Sequence, residues 1–264
     1  MDGTTTDASE PDAAPAHGLD GTTIGHRGLM LLGYQRTKQI SRRSRLAWEA
    51  GDPAPLDAEV RARGAAVFDG AAAEIHAEYL PVRSALTARG RNPASVIDIG
   101  CGQAINDAFL YRDFGCAITL VGIEETPAQY HARAGEGSGY DALADSVAFL
   151  RANGVPADRL AAINPRREPG RIDGLAADLV ASLFSCGFHY PLGDYADLFC
   201  TTVAQGGFVL LDLRRRYLKR PDAALERPIA AADGWQETVL RMEKSDASCS
   251  AADPRPVAAA CTRR

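Results

Sequence analysis

The segment VIDIGCGQAIND, residues 96–107, combines a carboxylate with two closely spaced glycines. Gly100 and Gly102 allow the backbone to turn sharply and approach a ligand, and a helix opening near Ile105 aims its unpaired N–H groups at the same spot. Asp98 stands two residues before the first glycine, where a dinucleotide-binding strand is apolar. A carboxylate at that place suits a ligand carrying an ammonium group. Roughly twenty residues on, Glu124 ends the run LVGIE, where an acidic side chain can accept both hydroxyls of a ribose. The glycine loop is too short, and lacks the lysine, to cradle a triphosphate. Together these features describe a site for a nucleoside that bears an amino acid and no phosphate.

The elements that must position these residues are legible in the hydropathy pattern. From residue 95, short runs rich in Val, Ile and Leu (SVIDIG, AITLVGIE, LAAIN, DLVASLFS and GFVLLDL) alternate with helical stretches. Runs apolar on both faces belong to strands covered on both sides, which predicts a doubly wound α/β architecture with a mostly parallel sheet. INDAFLYRDFG reads as a helix closed by Gly115, and Asp141 is placed to cap a helix with Leu143, Val147 and Leu150 on one face, stopping at Asn153-Gly154. WQETVLRMEK and ASCSAA are expected to form a closing antiparallel hairpin about Ser245-Asp246.

Upstream, residues 29–90 read as helical. Asp57 is expected to cap a segment with Val60, Val67, Ile75 and Tyr79 near one face. The expected organisation is a disordered tail at 1–25, a helical cap at 26–92, a ligand-binding domain at 93–252 and a second disordered tail at 253–264.

Composition bounds the function classes. The 264 residues are 46% hydrophobic and 24% charged, the balance of a core-forming chain, with a formal net charge of −5 that disfavours affinity built on neutralising phosphates. No nucleic-acid partner is expected. The local basic cluster Arg36, Lys38, Arg42, Arg43 and Arg45 reads as the solvated side of an amphipathic helix. With no long apolar window and no basic-then-apolar start, no membrane partner is expected and the expected compartment is the cytoplasm. Six cysteines without a CxxC pair suggest reduced thiols rather than a disulfide framework or a zinc site.

On these residues VIDIGCGQA resembles motif I of class I S-adenosylmethionine-dependent methyltransferases, and the resemblance runs over about residues 95–250. It implies a seven-stranded Rossmann-like methyltransferase sheet with an N-terminal helical cap, and S-adenosylmethionine as cofactor. Asp98, Gly100, Cys101, Gly102 and Ala104 match the loop that holds the methionine end, with Ala104 in place of the third glycine. Glu124 matches the ribose acid, with Glu125 as the alternative in a register shifted by one. Asn164 stands where a polar residue reads the adenine edge, or else makes a plain turn with Pro165. DLVASLFSCGFHYP resembles motif IV, with Asp178 opening the strand and Ser182 to Ser185 reaching toward the sulfonium. SLFSCGFHYP, with IDIGCG and a helical cap, is also similar to bacterial proteins described as sugar O-methyltransferases.

Methyl transfer is an in-line displacement, so the protein supplies position and, for a hydroxyl acceptor, a base. His189 falls just past the fourth strand and titrates near neutrality, and Tyr190 beside it would orient the acceptor; the alternative is a His-Tyr-Pro turn that closes a loop. No carboxylates stand there for metal-assisted methylation, and no metal is expected. Cys186 reads as a buried small hydrophobe. Tyr34, Arg36 and Trp48 either line an acceptor pocket or pack against the sheet. The expected activity is methyl transfer to a small-molecule oxygen. The rivals are N- or C-methylation of a metabolite and a non-catalytic S-adenosylmethionine-binding accessory or sensing protein.

Overall fold

Along the first strand side chains alternate between two cores, as a period of two requires. Val96 joins a cluster with Phe109, Leu120, Leu150, Leu179 and Leu210, while Ile97 and Ile99 join another with Val121, Val180, Val209 and Phe199. The computed structural model describes residues 17–88, 90–124, 142–186, 199, 202–214, 235–236, 240–244 and 261–263.

The five apolar runs are strands β1 (Ser95–Ile99), β2 (Ala117–Val121), β3 (Leu160–Ile163), β4 (Ala177–Ser182) and β5 (Val203–Arg214). They pair in parallel in the order β3-β2-β1-β4-β5. This order reverses direction between β1 and β4, the switch point at which doubly wound sheets bind ligands. Helices α1 (His26–Gln35), α2 (Arg42–Glu49) and α3 (Ala54–Ala88) precede the sheet; α4 (Ile105–Phe114) follows β1 and α5 (Leu143–Ala152) precedes β3. Gly115 caps α4 in the left-handed conformation, as its sequence predicts.

The helix α3 buries Val60, Val67, Ile75 and Tyr79 along one side. It starts at Ala54 rather than after Asp57, because Pro55 in the first turn lacks only an N–H that has no intrahelical partner there. Asp57 is therefore a first-turn residue, not the cap, and its carboxylate accepts from Arg61 and bonds His26 at 2.8 Å. For α5 the N-cap is Ala142, and Asp141 lies outside the described residues.

Parts of both expected tails and of the expected hairpin fall within the described residues, while 1–16, 245–260 and 264 lie outside them. Residues 17–25 are packed, with Leu19 and Ile24 in the main core and His17 buried edge-on against Phe68. Asp20 and Asn153 clasp each other, backbone N–H to Oδ1 at 2.8 Å and Nδ2 to backbone O at 2.9 Å. Few apolar residues suffice for this docking because each one meets the core, which average composition conceals. At the other end, Cys261–Arg263 form β8, antiparallel to β5 and to β6 (Trp235–Gln236), so those tail residues extend the sheet. Finally, β7 (Leu240–Lys244) runs parallel to β5; the second arm of the expected hairpin, ASCSAA, lies outside the described residues. β5 is long enough, at 12 residues, to take β8 at Phe208 and Val209 and β7 from Leu210 onward.

At the amino ends of the sheet, Asp178 fastens β4 to β1. Its Oδ2 accepts from the backbone N–H of Ala94 (2.9 Å) and Ser95 (3.0 Å) and from Ser95 Oγ (3.1 Å). The residue that the motif comparison singles out in β4 thus works at the end remote from the glycine turn. Asp178→Ala should cost about 2–4 kcal/mol of stability, the loss of several hydrogen bonds to one carboxylate, measured by urea unfolding.

Candidate functional site

The turn from β1 into α4 is built from residues with positive φ: Gly100 (81°), Gly102 (54°) and Ala104 (57°). A Cβ at Gly100 would collide with the side chain of Ser185, so the turn after β4 sits directly on this glycine. At Gly102 nothing among the described residues lies within 4 Å of where a Cβ would be, which leaves the backbone open there to an approaching group. Ala104 holds the left-handed conformation expected of a glycine, and its methyl is fully buried. Cys101 between them is half-buried.

Two hydroxyls pin this turn. Ser182 Oγ donates to Ile99 O at 2.7 Å and accepts from Cys186 N–H at 3.0 Å, so the Ser182 hydroxyl ties β4 to β1 and is fully buried doing so. It is a fastening beneath the site, in contrast to the expected reach toward a sulfonium. Ser146 Oγ, on α5, donates to Gly102 O at 2.7 Å. Ser146 was not singled out in the sequence, although its spacing from Leu143 and Leu150 puts it on the buried face of α5.

Asp98 projects from β1 on the same side as Val96, toward α4, and is buried. Asp107, in the first turn of α4, is wholly buried. Sequence inspection passes over Asp107 because an acid in a first helical turn ordinarily faces solvent and answers the helix dipole. Asp98 Oδ1 and both carboxyl oxygens of Asp107 have no donor facing them. Burial pushes Asp98 up to about 6, and burial together with the neighbouring Asp98 charge pushes Asp107 well above the usual carboxylate range.

Glu124 lies three residues beyond the end of β2 rather than inside the strand. Its Oε2 accepts from Asn164 Nδ2 at 3.1 Å and from Arg167 at 2.7 Å. Asn164, just after β3, also accepts the Arg166 N–H on Oδ1 at 3.0 Å, so it makes a local turn and reaches the acid at once. The structure therefore brings Asp98, the glycine turn, Glu124 and Asn164 to the carboxyl ends of β1, β2 and β3. Glu125, His189 and Tyr190 lie outside the described residues. Burial pushes the Cys186 thiol up to about 11, which fits a packed small side chain.

Beside the turn that follows β4, Glu78, Val82, Asn106, Leu110, Phe184 and Leu210 line a pocket. Arg36 adjoins it through two of these residues: the guanidinium is buried, bonds Glu78 at 2.8 Å and lies over the Phe184 ring at 5.1 Å. It is the exception in the basic cluster, whose Lys38, Arg42 and Arg43 are exposed. Tyr34 and Trp48 instead pack on each other in a separate small core with Leu56 and Val60.

No family model matches the sequence. No curated protein matches it either. Among solved structures the chain is similar to an O-methyltransferase family protein from Burkholderia thailandensis (17% identity, 64% of this chain, 47% of that chain, TM-score 0.39). It is similar also to a precorrin-6y C5,15-methyltransferase from Geobacter metallireducens (13%, 70% and 87%, TM-score 0.41). A third is a protein of Galdieria sulphuraria provisionally described as a sarcosine dimethylglycine methyltransferase (17%, 59% and 50%, TM-score 0.35). All three are described as methyltransferases. The chain spans about half the length of the first and the third. Among the described residues no helix is long and apolar enough to cross a membrane.

The acid pair sets a pH dependence. A carboxyl whose value is raised in the folded state binds protons more tightly there than in the unfolded chain, so its contribution is complete below about 3.8 and lost as pH rises through about 6 and beyond. The ligand-free protein should therefore lose stability between about pH 4 and pH 7. Asp107→Asn should flatten that decline and raise stability at pH 7 by about 1–3 kcal/mol, read from urea unfolding at a series of pH values.

Proposed function

We propose that the chain binds S-adenosylmethionine and transfers a methyl group to a small-molecule acceptor, with a hydroxyl oxygen as the preferred acceptor atom. The observation that carries this reading is the orphaned Asp98 carboxyl under an open glycine turn, combined with Glu124 and Asn164 at the ends of the next two strands. A buried acid lacking a donor is costly, and an ammonium group removes that cost. Glu124 offers a carboxylate to a pair of vicinal hydroxyls; to do so it releases the exposed Arg167, whose surface ion pair is weak. The glycine turn itself, residues 100–104, holds no lysine or arginine to meet a phosphate. This donor set fits S-adenosylmethionine: Asp98 would take its ammonium, the backbone around Gly102 its amino-acid end, Glu124 its ribose and Asn164 its adenine edge.

When bound, the cofactor supplies a methyl group on a sulfonium, a good leaving group. The chain's own contribution is to fix the two partners in line and exclude water. In this proposal the mostly parallel sheet takes the Rossmann-like methyltransferase form, the helices α1 to α3 act as the cap over the acceptor, and Arg36 with Phe184 holds the acceptor side of the turn after β4. His189 takes the acceptor's hydroxyl proton and Tyr190 orients it, on the strength of their position in the chain just beyond β4.

Calorimetry should find S-adenosylmethionine and S-adenosylhomocysteine binding much more tightly than NAD or ATP. Asp98→Ala and Glu124→Ala should each weaken that binding by about 1.5–3 kcal/mol, more than tenfold. Unchanged affinity in both variants would overturn the site. With a metabolite extract and labelled cofactor, one compound should gain a CH₂. His189→Ala should then lower turnover by about 10²–10⁴ with cofactor affinity within about twofold; joint loss of affinity and stability would make His189 a structural residue.

A further inference from the structure

Behind the proposed ammonium receptor stands a second carboxyl that the cofactor reading does not use. Asp107 is wholly buried in the first turn of α4, among residues whose neighbours Ile105, Ala108 and Phe109 belong to the main core. It is close enough to Asp98 for a side-chain hydrogen bond between them. Two ionised carboxylates are both acceptors only, so a hydrogen bond between them requires a proton. No described basic side chain makes an ion pair with either acid. Among the described residues, the titratable groups facing the pair are the thiols of Cys116, just before β2, and Cys186, after β4, both pushed up by burial and so neutral. Among the described residues no cation is placed to balance two negative charges.

We propose that Asp107 is kept as the neutral acid at neutral pH and donates its proton to Asp98, holding Asp98 ionised and oriented as the receptor for the ammonium group of an amino-acid-bearing nucleoside. Asp107 is thus a positioning residue that acts through Asp98, and the inference rests on the cofactor reading above. The burial of the pair points to which acid carries the proton: Asp107 is wholly enclosed with neither oxygen facing a donor, whereas Asp98 lacks one at Oδ1 alone and stands at the glycine turn. The hydrogen bond from Asp107 favours ionisation of Asp98, while the Asp98 charge and full burial both oppose ionisation of Asp107. An amide at position 107 can donate in the same way, whereas a methyl cannot.

The test measures the affinity of S-adenosylhomocysteine by calorimetry from about pH 5 to pH 8 for the wild type, Asp107→Asn and Asp107→Ala, beside 5′-methylthioadenosine, which has the nucleoside and thioether but no ammonium. Wild-type affinity for S-adenosylhomocysteine should rise as pH passes about 6, where Asp98 ionises, and that for methylthioadenosine should stay flat. Asp107→Asn should keep the profile. Asp107→Ala should move its midpoint upward and weaken binding at pH 7 by about tenfold. Equal loss in Asn and Ala, or a wild-type profile in Ala, overturns the inference while leaving the cofactor reading intact. If neither nucleoside binds the wild type, the cofactor reading fails and this inference fails with it. Should the Ala variant not fold, infrared difference spectra of wild type against Asp107→Asn at pH 7.5 read the proton directly. A protonated-carboxyl band in the wild type is expected, and its absence overturns the assignment.

Discussion

The passage from β1 to α4 places three left-handed residues within five positions, and such a backbone does not hold that shape unaided. For Ala104 the conformation costs about 1–2 kcal/mol relative to a right-handed one. The turn persists because neighbours over-determine it. Gly100 N–H bonds Val121 O at 2.7 Å from β2, Ser182 bonds Ile99 O from β4, and Ser146 bonds Gly102 O from α5. Three elements far apart in sequence thus converge on one loop, and they can do so only when the parallel strands are in register. Substrate-side geometry is therefore inherited from sheet assembly, and a loosened strand pairing would be felt first as a widened glycine turn.

The same assembly explains why a pair of acids can be buried at all. A carboxyl in an apolar surrounding is destabilising by itself, and two are worse. Under the proposed reading that cost is offset by a ligand that brings a positive charge, because its ammonium answers a carboxyl that otherwise lacks a donor. A neutral nucleoside gains no such advantage. In that reading discrimination does not depend on pocket shape, and the proposed acceptor side, around Arg36, Phe184 and the helices that precede the sheet, is free to vary.

Much of the fold was legible because parallel strands covered on both faces read as short apolar runs, and the five such runs are β1 to β5 in the positions their residues suggest. The glycine turn and Asp98 were legible for a different reason: glycine at positive φ and a carboxylate inside an apolar strand are both departures from local preference. What stayed hidden was tertiary. Asp107 looks like any first-turn acid until α4 is laid against β1. Ser182 looks like a site residue until its hydroxyl is seen bonded to Ile99 O. The N-terminal segment misled through its composition, since two apolar residues, Leu19 and Ile24, carry its docking.

That docking has a temporal meaning. The clasp between Asp20 and Asn153 joins positions 133 apart in the chain, and closing so long a loop is entropically uphill until the strands and helices between them have condensed. The segment from His17 to Gly25 is thus a late arrival in folding, settling on a surface that α3, α4 and α5 must first create. Its bonds to Asn153 are solvent-exposed, so it is also an early departure when the molecule breathes, opening the core edge around Phe68 before the sheet itself yields.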